Sequence, residues 1–88
     1  MESFRKEKDH CIIVLSKETI ESQKEIIHLE FLVKPGDKIQ KGDRFAVAEG
    51  MKGTIDLECP ISGVVSELNA KLKDSPEAAV GEWIIKVK

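Results

Sequence analysis

Apolar residues in this chain recur mostly at every second position, in short runs punctuated by glycine and proline, which is the pattern of half-buried strands. Ile12 to Leu15 is a β-branched run, after which Ser16 offers a capping hydroxyl to a helical turn through Lys17 to Lys24, with the acidic Glu18 suiting the helix dipole. From Ile26 the period becomes two: Ile27, Leu29, Phe31 and Val33 fall on one face, His28 and Glu30 on the other. Lys34-Pro35-Gly36-Asp37 and Lys41-Gly42-Asp43 are turn signals, because proline presets φ, glycine takes unusual φ and Asp bonds to its own backbone. Phe45 and Val47 lead into a glycine-flanked lysine, and Ile55, Leu57 and Cys59 lead away from it in alternation with Thr54, Asp56 and Glu58. A hairpin with Lys52 at its tip is predicted.

Beyond the hairpin, Pro60 is expected at a strand edge or end, Ser62-Gly63 as a turn, and Val64 to Leu68 as a further strand. Ser75-Pro76-Glu77 reads as a helix start closed by Gly81, and Trp83, Ile85 and Val87 alternate as a last strand with Trp83 turned inward. Residues 1–11 are mostly charged, with Phe4 as their large apolar group, and are expected to form a loose arm; residues 12–88 are expected to form a single domain. Short strands separated by regular turn signals predict an all-β sandwich or flattened barrel with one or two short helices and a thin aliphatic core.

A chain of 88 residues has room for one core, and its 41% hydrophobic and 34% charged residues exclude a disordered segment. The apolar run Cys11 to Leu15 is far short of the roughly 20 residues a spanning helix needs. With no export signal visible, the expected location is cytoplasmic, without a membrane partner. Fourteen basic and sixteen acidic residues are interspersed, which disfavours nucleic acid as a partner. Cys11 and Cys59 form no Cys-x-x-Cys or Cys/His cluster and are read as structural, so no metal site is expected. No nucleophile sits in a motif with a paired base, and no phosphate-binding loop is present, so no enzyme activity is predicted.

The candidate site is therefore Lys52 within Glu49-Gly50-Met51-Lys52-Gly53, which reads as an attachment point. A lysine at a hairpin tip faces water, and its amine forms a stable amide with a carboxylic-acid cofactor. Glu49, Asp56 and Glu58 are expected to form an acidic flank around it, and no paired base stands beside it in the sequence to activate the amine. A separate ligase or transferase must then bring an activated acyl donor. Amidation removes the positive charge, leaving an acidic flank to orient partner enzymes.

Ala48-Glu49-Gly50-Met51-Lys52-Gly53, with Ser62-Gly63 downstream, is similar to the attachment turn of biotinyl/lipoyl domains. Val33 to Asp43 resembles the turn that precedes the lysine hairpin in that superfamily, and Pro60-Ile61-Ser62-Gly63 its Pro-x-Ser-Gly strand. Leu68 to Glu77 and Gly81-Glu82-Trp83-Ile84-Ile85-Lys86-Val87 look specifically like the glycine cleavage H protein, in a short form. The resemblance implies a lipoyl-domain hybrid fold of two small antiparallel sheets, with lipoate linked covalently to Lys52. It implies a non-catalytic carrier that shuttles an aminomethyl or other intermediate. Its partners would be a lipoate ligase or lipoyltransferase and, in the glycine cleavage role, glycine decarboxylase, aminomethyltransferase and lipoamide dehydrogenase. Gly50-Met51 stands where H proteins usually have Ser-Val, and Gly53 where they have Ala; methionine before the lysine is a biotin-domain habit. A biotin carrier, an unmodified binding module and a lipoylated carrier in another pathway stay open as alternatives.

Overall fold

The structure is a computed structural model that describes residues 1–88. In chain order its elements are β1 (Ser3–Lys6), β2 (Cys11–Val14), α1 (Lys17–Gln23), β3 (Ile26–Phe31), β4 (Lys38–Ile39), β5 (Arg44–Gly50), β6 (Gly53–Glu58), β7 (Gly63–Leu68), α2 (Lys71–Asp74), a 3₁₀ turn (Pro76–Val80) and β8 (Ile85–Val87). Every strand pair is antiparallel. One sheet runs β1-β2-β8-β7-β4 and the other β3-β5-β6, so the flattened all-β architecture is present as two separate sheets rather than a closed barrel. A single core joins them, with Ile13, Ile85 and Val87 from the larger sheet and Leu29, Ala46 and Leu57 from the smaller. No helix is long and apolar enough to cross a membrane.

Helix α1 begins as its sequence predicts: Ser16 Oγ accepts a hydrogen bond from Thr19 N at 3.1 Å. The two turn signals build matching corners. Lys34 N donates to Asp37 Oδ2 at 2.9 Å and Gln40 N to Asp43 Oδ2 at 2.8 Å. Asp37 N and Asp43 N donate back to the carbonyls of Lys34 and Gln40. At the first corner, the hydrogen bond from the Lys34 backbone, then that from its side chain, holds the Asp37 carboxyl below the usual carboxylate range.

Five expectations change. Residues 1–11 are charged, but they do not hang free. Ser3–Lys6 adds an edge strand to β2, and Glu2, only 8% exposed, accepts from Ser16 N (2.8 Å) and Thr19 Oγ1 (3.0 Å) to cover the start of α1. The strict alternation expected through β3 breaks at a register shift between Ile26 and His28, so Ile26 is buried and Ile27 points to solvent, 54% exposed. Trp83 is not inward: Ile84, fully buried, takes that place, while Trp83 is half-buried with Lys86 Nζ 4.8 Å above its ring. The cause is Asn69, whose Nδ2 donates to Trp83 O at 2.8 Å and whose N donates to Ile84 O, fixing the chain before β8 starts. The expected helix at Ser75 is a 3₁₀ turn preceded by α2, and Ser75 gives no side-chain cap. Gly63 opens β7 instead of turning, and a Cβ there would lie 2.3 Å from Lys88 O.

Candidate functional site

Strands β5 and β6 form the hairpin, in register from Ala46 opposite Leu57 to Gly50 opposite Gly53, with a register shift before Arg44 opposite Glu58. Met51 and Lys52 alone lie beyond the pairing, and both are exposed, Met51 by 64%. The expected tip is thus where the sequence puts Lys52. Neither Met51 nor Lys52 has positive φ, whereas Gly53 has φ +117°. That sign pattern excludes the type I′ turn, which needs positive φ at both central residues, and puts the left-handed residue at Gly53, just past them.

The two flanking glycines do different work. Gly53 meets nothing within 4 Å and is needed for its backbone angle alone. Gly50 has no unusual φ but is buried, and a Cβ there would come within 2.5 Å of Gln23 Oε1 and 2.7 Å of Glu25 O. It is a close-approach glycine, which lets the end of α1 pack directly behind the tip.

The acidic flank shrinks to one residue. Glu49 stands next to the turn, opposite Thr54 and His28. Asp56 pairs with Arg44 at 3.4 Å. At about 3.4 Å per strand residue, Glu58 lies roughly 17 Å along β6 from Gly53, well beyond a screening length of about 8–10 Å. Lys52 itself is in none of the ion pairs of the structure. An amide-linked acyl chain therefore fits this position: the amine is exposed, its charge can be removed without orphaning a partner, and nothing overhangs Gly53.

Beside β3 opens a cleft of about 470 Å³ lined by His28, Phe31, Val33, Leu68 and Lys73, among others. Its His28 end is registered with Glu49, near the tip. The stretch from Asn69 to Trp83 sits behind this region, with α2 and the 3₁₀ turn packed on β3. The thiols lie elsewhere: Cys59 is fully buried and burial pushes its thiol up, while Cys11 is half-buried on β2.

Residues 14–87 match the family model described as "Biotin-requiring enzyme" for biotinyl/lipoyl domains. Across 92 aligned residues, covering 99% of this chain and 69% of the relative, the sequence is 33% identical to the glycine cleavage system H protein of Rippkaea orientalis. The chain belongs to the glycine cleavage system H protein family. The H protein of Vibrio atlanticus is 42% identical over 57 residues, which cover 59% of this chain and 45% of that protein. The chain thus spans about half the length of several curated relatives it matches. In fold it is similar to the crystal structure of an H protein from Mycobacterium marinum, with a TM-score of 0.79 at 18% identity, covering 94% of this chain and 68% of that one.

Within this H-protein frame, Lys52, Glu49, Gly50, Met51 and Gly53 all meet at one tip. Three contributors escaped the sequence reading: Gln23, Lys24 and Glu25, at the end of α1. The one available signal was a helix stopping at Gln23-Lys24-Glu25 with no glycine to close it.

Proposed function

We propose that Lys52 is the covalent attachment site of a lipoyl group and that this protein is a non-catalytic carrier in the manner of H proteins. The observation that carries the reading is the hairpin itself: an exposed lysine with no ion-pair partner, on a turn held from behind by Gly50 and closed by Gly53. When bound, lipoate supplies redox and group-carrying chemistry through its dithiolane. The chain supplies presentation. The paired strands fix the base of the arm, and Glu49 marks its acidic side for a partner. His28, Phe31, Val33, Leu68 and Lys73 offer the cleft in which we place the folded-back arm. Tethering raises the effective concentration of the carried group at each partner's site.

The partners of this reading are a lipoate ligase or lipoyltransferase to load Lys52, then glycine decarboxylase, aminomethyltransferase and lipoamide dehydrogenase. The compartment is the cytoplasm, where both cysteines would remain thiols. The reading is supported by the family match from residue 14 to 87. A biotin carrier is the second reading, favoured by the exposed Met51 beside the lysine.

The carrier role is tested by supplying the lipoylated protein to glycine decarboxylase and measuring carbon dioxide release from carboxyl-labelled glycine. Release with the wild type and none with Lys52→Arg is expected. A lipoylated wild type that supports no release points to a different pathway.

A further inference from the structure

Helix α1 ends on a strained corner. Lys24 alone among the non-glycine residues has positive φ, at φ 66° and ψ −55°, and Glu25 N donates to Gln23 O at 2.7 Å, closing a γ-turn of the disfavoured hand. This corner backs the lysine tip. Gln23 O also accepts from Met51 N at 3.3 Å, and Ile26, two residues beyond Lys24, pairs with Gly50. The Gln23 side chain lies against Gly50, so closely that an added Cβ would sit 2.8 Å from Gln23 Cβ. Gln23 is 5% exposed, and its Oε1 is buried without a hydrogen-bond partner. A disfavoured turn and an orphaned amide oxygen are both costly, and such features persist where the surrounding structure over-determines them. Here both stand directly behind one exposed turn.

We infer that the Gln23-Lys24-Glu25 corner positions the Lys52 tip, with Gln23 as the positioning residue. Its side chain fills the space under Gly50 and its carbonyl holds Met51 N, which sets the direction in which Lys52 leaves the sheet. This rests on the reading of Lys52 as the attachment site. An isolated hairpin end is loose, whereas acyl transfer needs the amine within about 3–3.5 Å of the acyl carbon, and a misplacement of about 1 Å can cost 10²-fold in rate. In that transfer the Nζ–acyl amide bond forms as the bond from the acyl carbon to the AMP of lipoyl adenylate breaks. The adenylate forms from lipoate and ATP with release of pyrophosphate, AMP leaves as the amide forms, and the ligase takes up the protons that Nζ loses.

The test uses the full chain with a lipoate ligase, lipoate and ATP, following Lys52 acylation by mass and Met51 amide exchange by NMR. Gln23→Ala is expected to lower kcat/KM about 10-fold and to speed Met51 exchange by a similar factor. Gln23→Met, with the same reach and no orphaned oxygen, is expected to stay within about twofold of wild type. Leu72→Ala, a core truncation in α2, lowers Tm yet is acylated at the wild-type rate below its melting transition. The inference is overturned by wild-type acylation of Gln23→Ala, by an equal loss in Gln23→Met, or by an equal loss in Leu72→Ala. If the wild type accepts no lipoyl group, the attachment reading fails and the positioning role falls with it.

Discussion

Replacing Gly50 by alanine sets two physical effects against each other, and the sign of the result decides between them. At a residue without positive φ, Gly→Ala normally stabilises by about 0.4–1 kcal/mol, because the unfolded chain loses freedom. At Gly50 the new methyl would meet Gln23 Oε1 at 2.5 Å, Glu25 O at 2.7 Å and Gln23 Cβ at 2.8 Å. Only the first is the movable end of a side chain. The other two belong to a corner already strained at Lys24, so relief requires moving the end of α1 away from the tip. Overpacking of this kind costs about 1–3 kcal/mol, and with two unyielding contacts the upper part of that range applies. Subtracting the entropic gain leaves a loss of about 2 kcal/mol, or a fall in Tm of about 10–15 °C for a domain of this size. Thermal unfolding followed by circular dichroism, with urea titration beside it, measures the effect. A Gly50→Ala protein as stable as wild type, or more so, would refute the close packing of α1 behind the lysine turn.

Gly53→Ala meets no neighbour but forces alanine to φ +117°, so a smaller loss of about 1–2 kcal/mol in urea titrations is expected. Lys24→Gly should do the reverse: relief of about 1–3 kcal/mol of backbone strain, offset by about 0.5–1 kcal/mol of glycine entropy, leaves a gain near 1 kcal/mol, read as a higher Tm. Because the folded Asp37 carboxyl titrates below its unfolded value, its contribution is present above the ordinary carboxylate range and lost as pH falls through the lowered folded value. Asp37→Asn should therefore flatten the acid limb of the stability–pH profile while leaving its neutral-to-alkaline shape unchanged. Alkylation at neutral pH should mark Cys11 on the native protein and reach Cys59 only on unfolding, since Cys59 is fully buried with its thiol pushed up; equal labelling of both in the native state would contradict that packing.

The lysine hairpin was legible because its determinants are local: alternating residues on both strands and a glycine on each side of Met51-Lys52. The Asp37 and Asp43 corners were legible for the same reason, each closed within four residues. What escaped depends on contacts distant in sequence. Glu2 reads as one more charge in a charged arm until Ser16 and Thr19, fourteen and seventeen residues on, supply its donors. Trp83 keeps a strand-like alternation with Ile85 and Val87, yet the bonds from Asn69 delay the strand and turn Ile84 inward. Ile27 follows period two on paper, and the register shift beside it hands its core place to Ile26. The reason for Gly50 lies in Gln23 and Glu25, which a reading of the turn by itself does not reach.

The most direct measurement is the intact mass of the protein expressed with lipoate and a lipoate ligase, beside Lys52→Arg treated identically. One lipoyl increment on the wild type and none on Lys52→Arg is the expected result. No increment on the wild type, a biotin increment in its place, or a lipoyl increment that survives Lys52→Arg would contradict the assignment of Lys52 as the lipoyl attachment site.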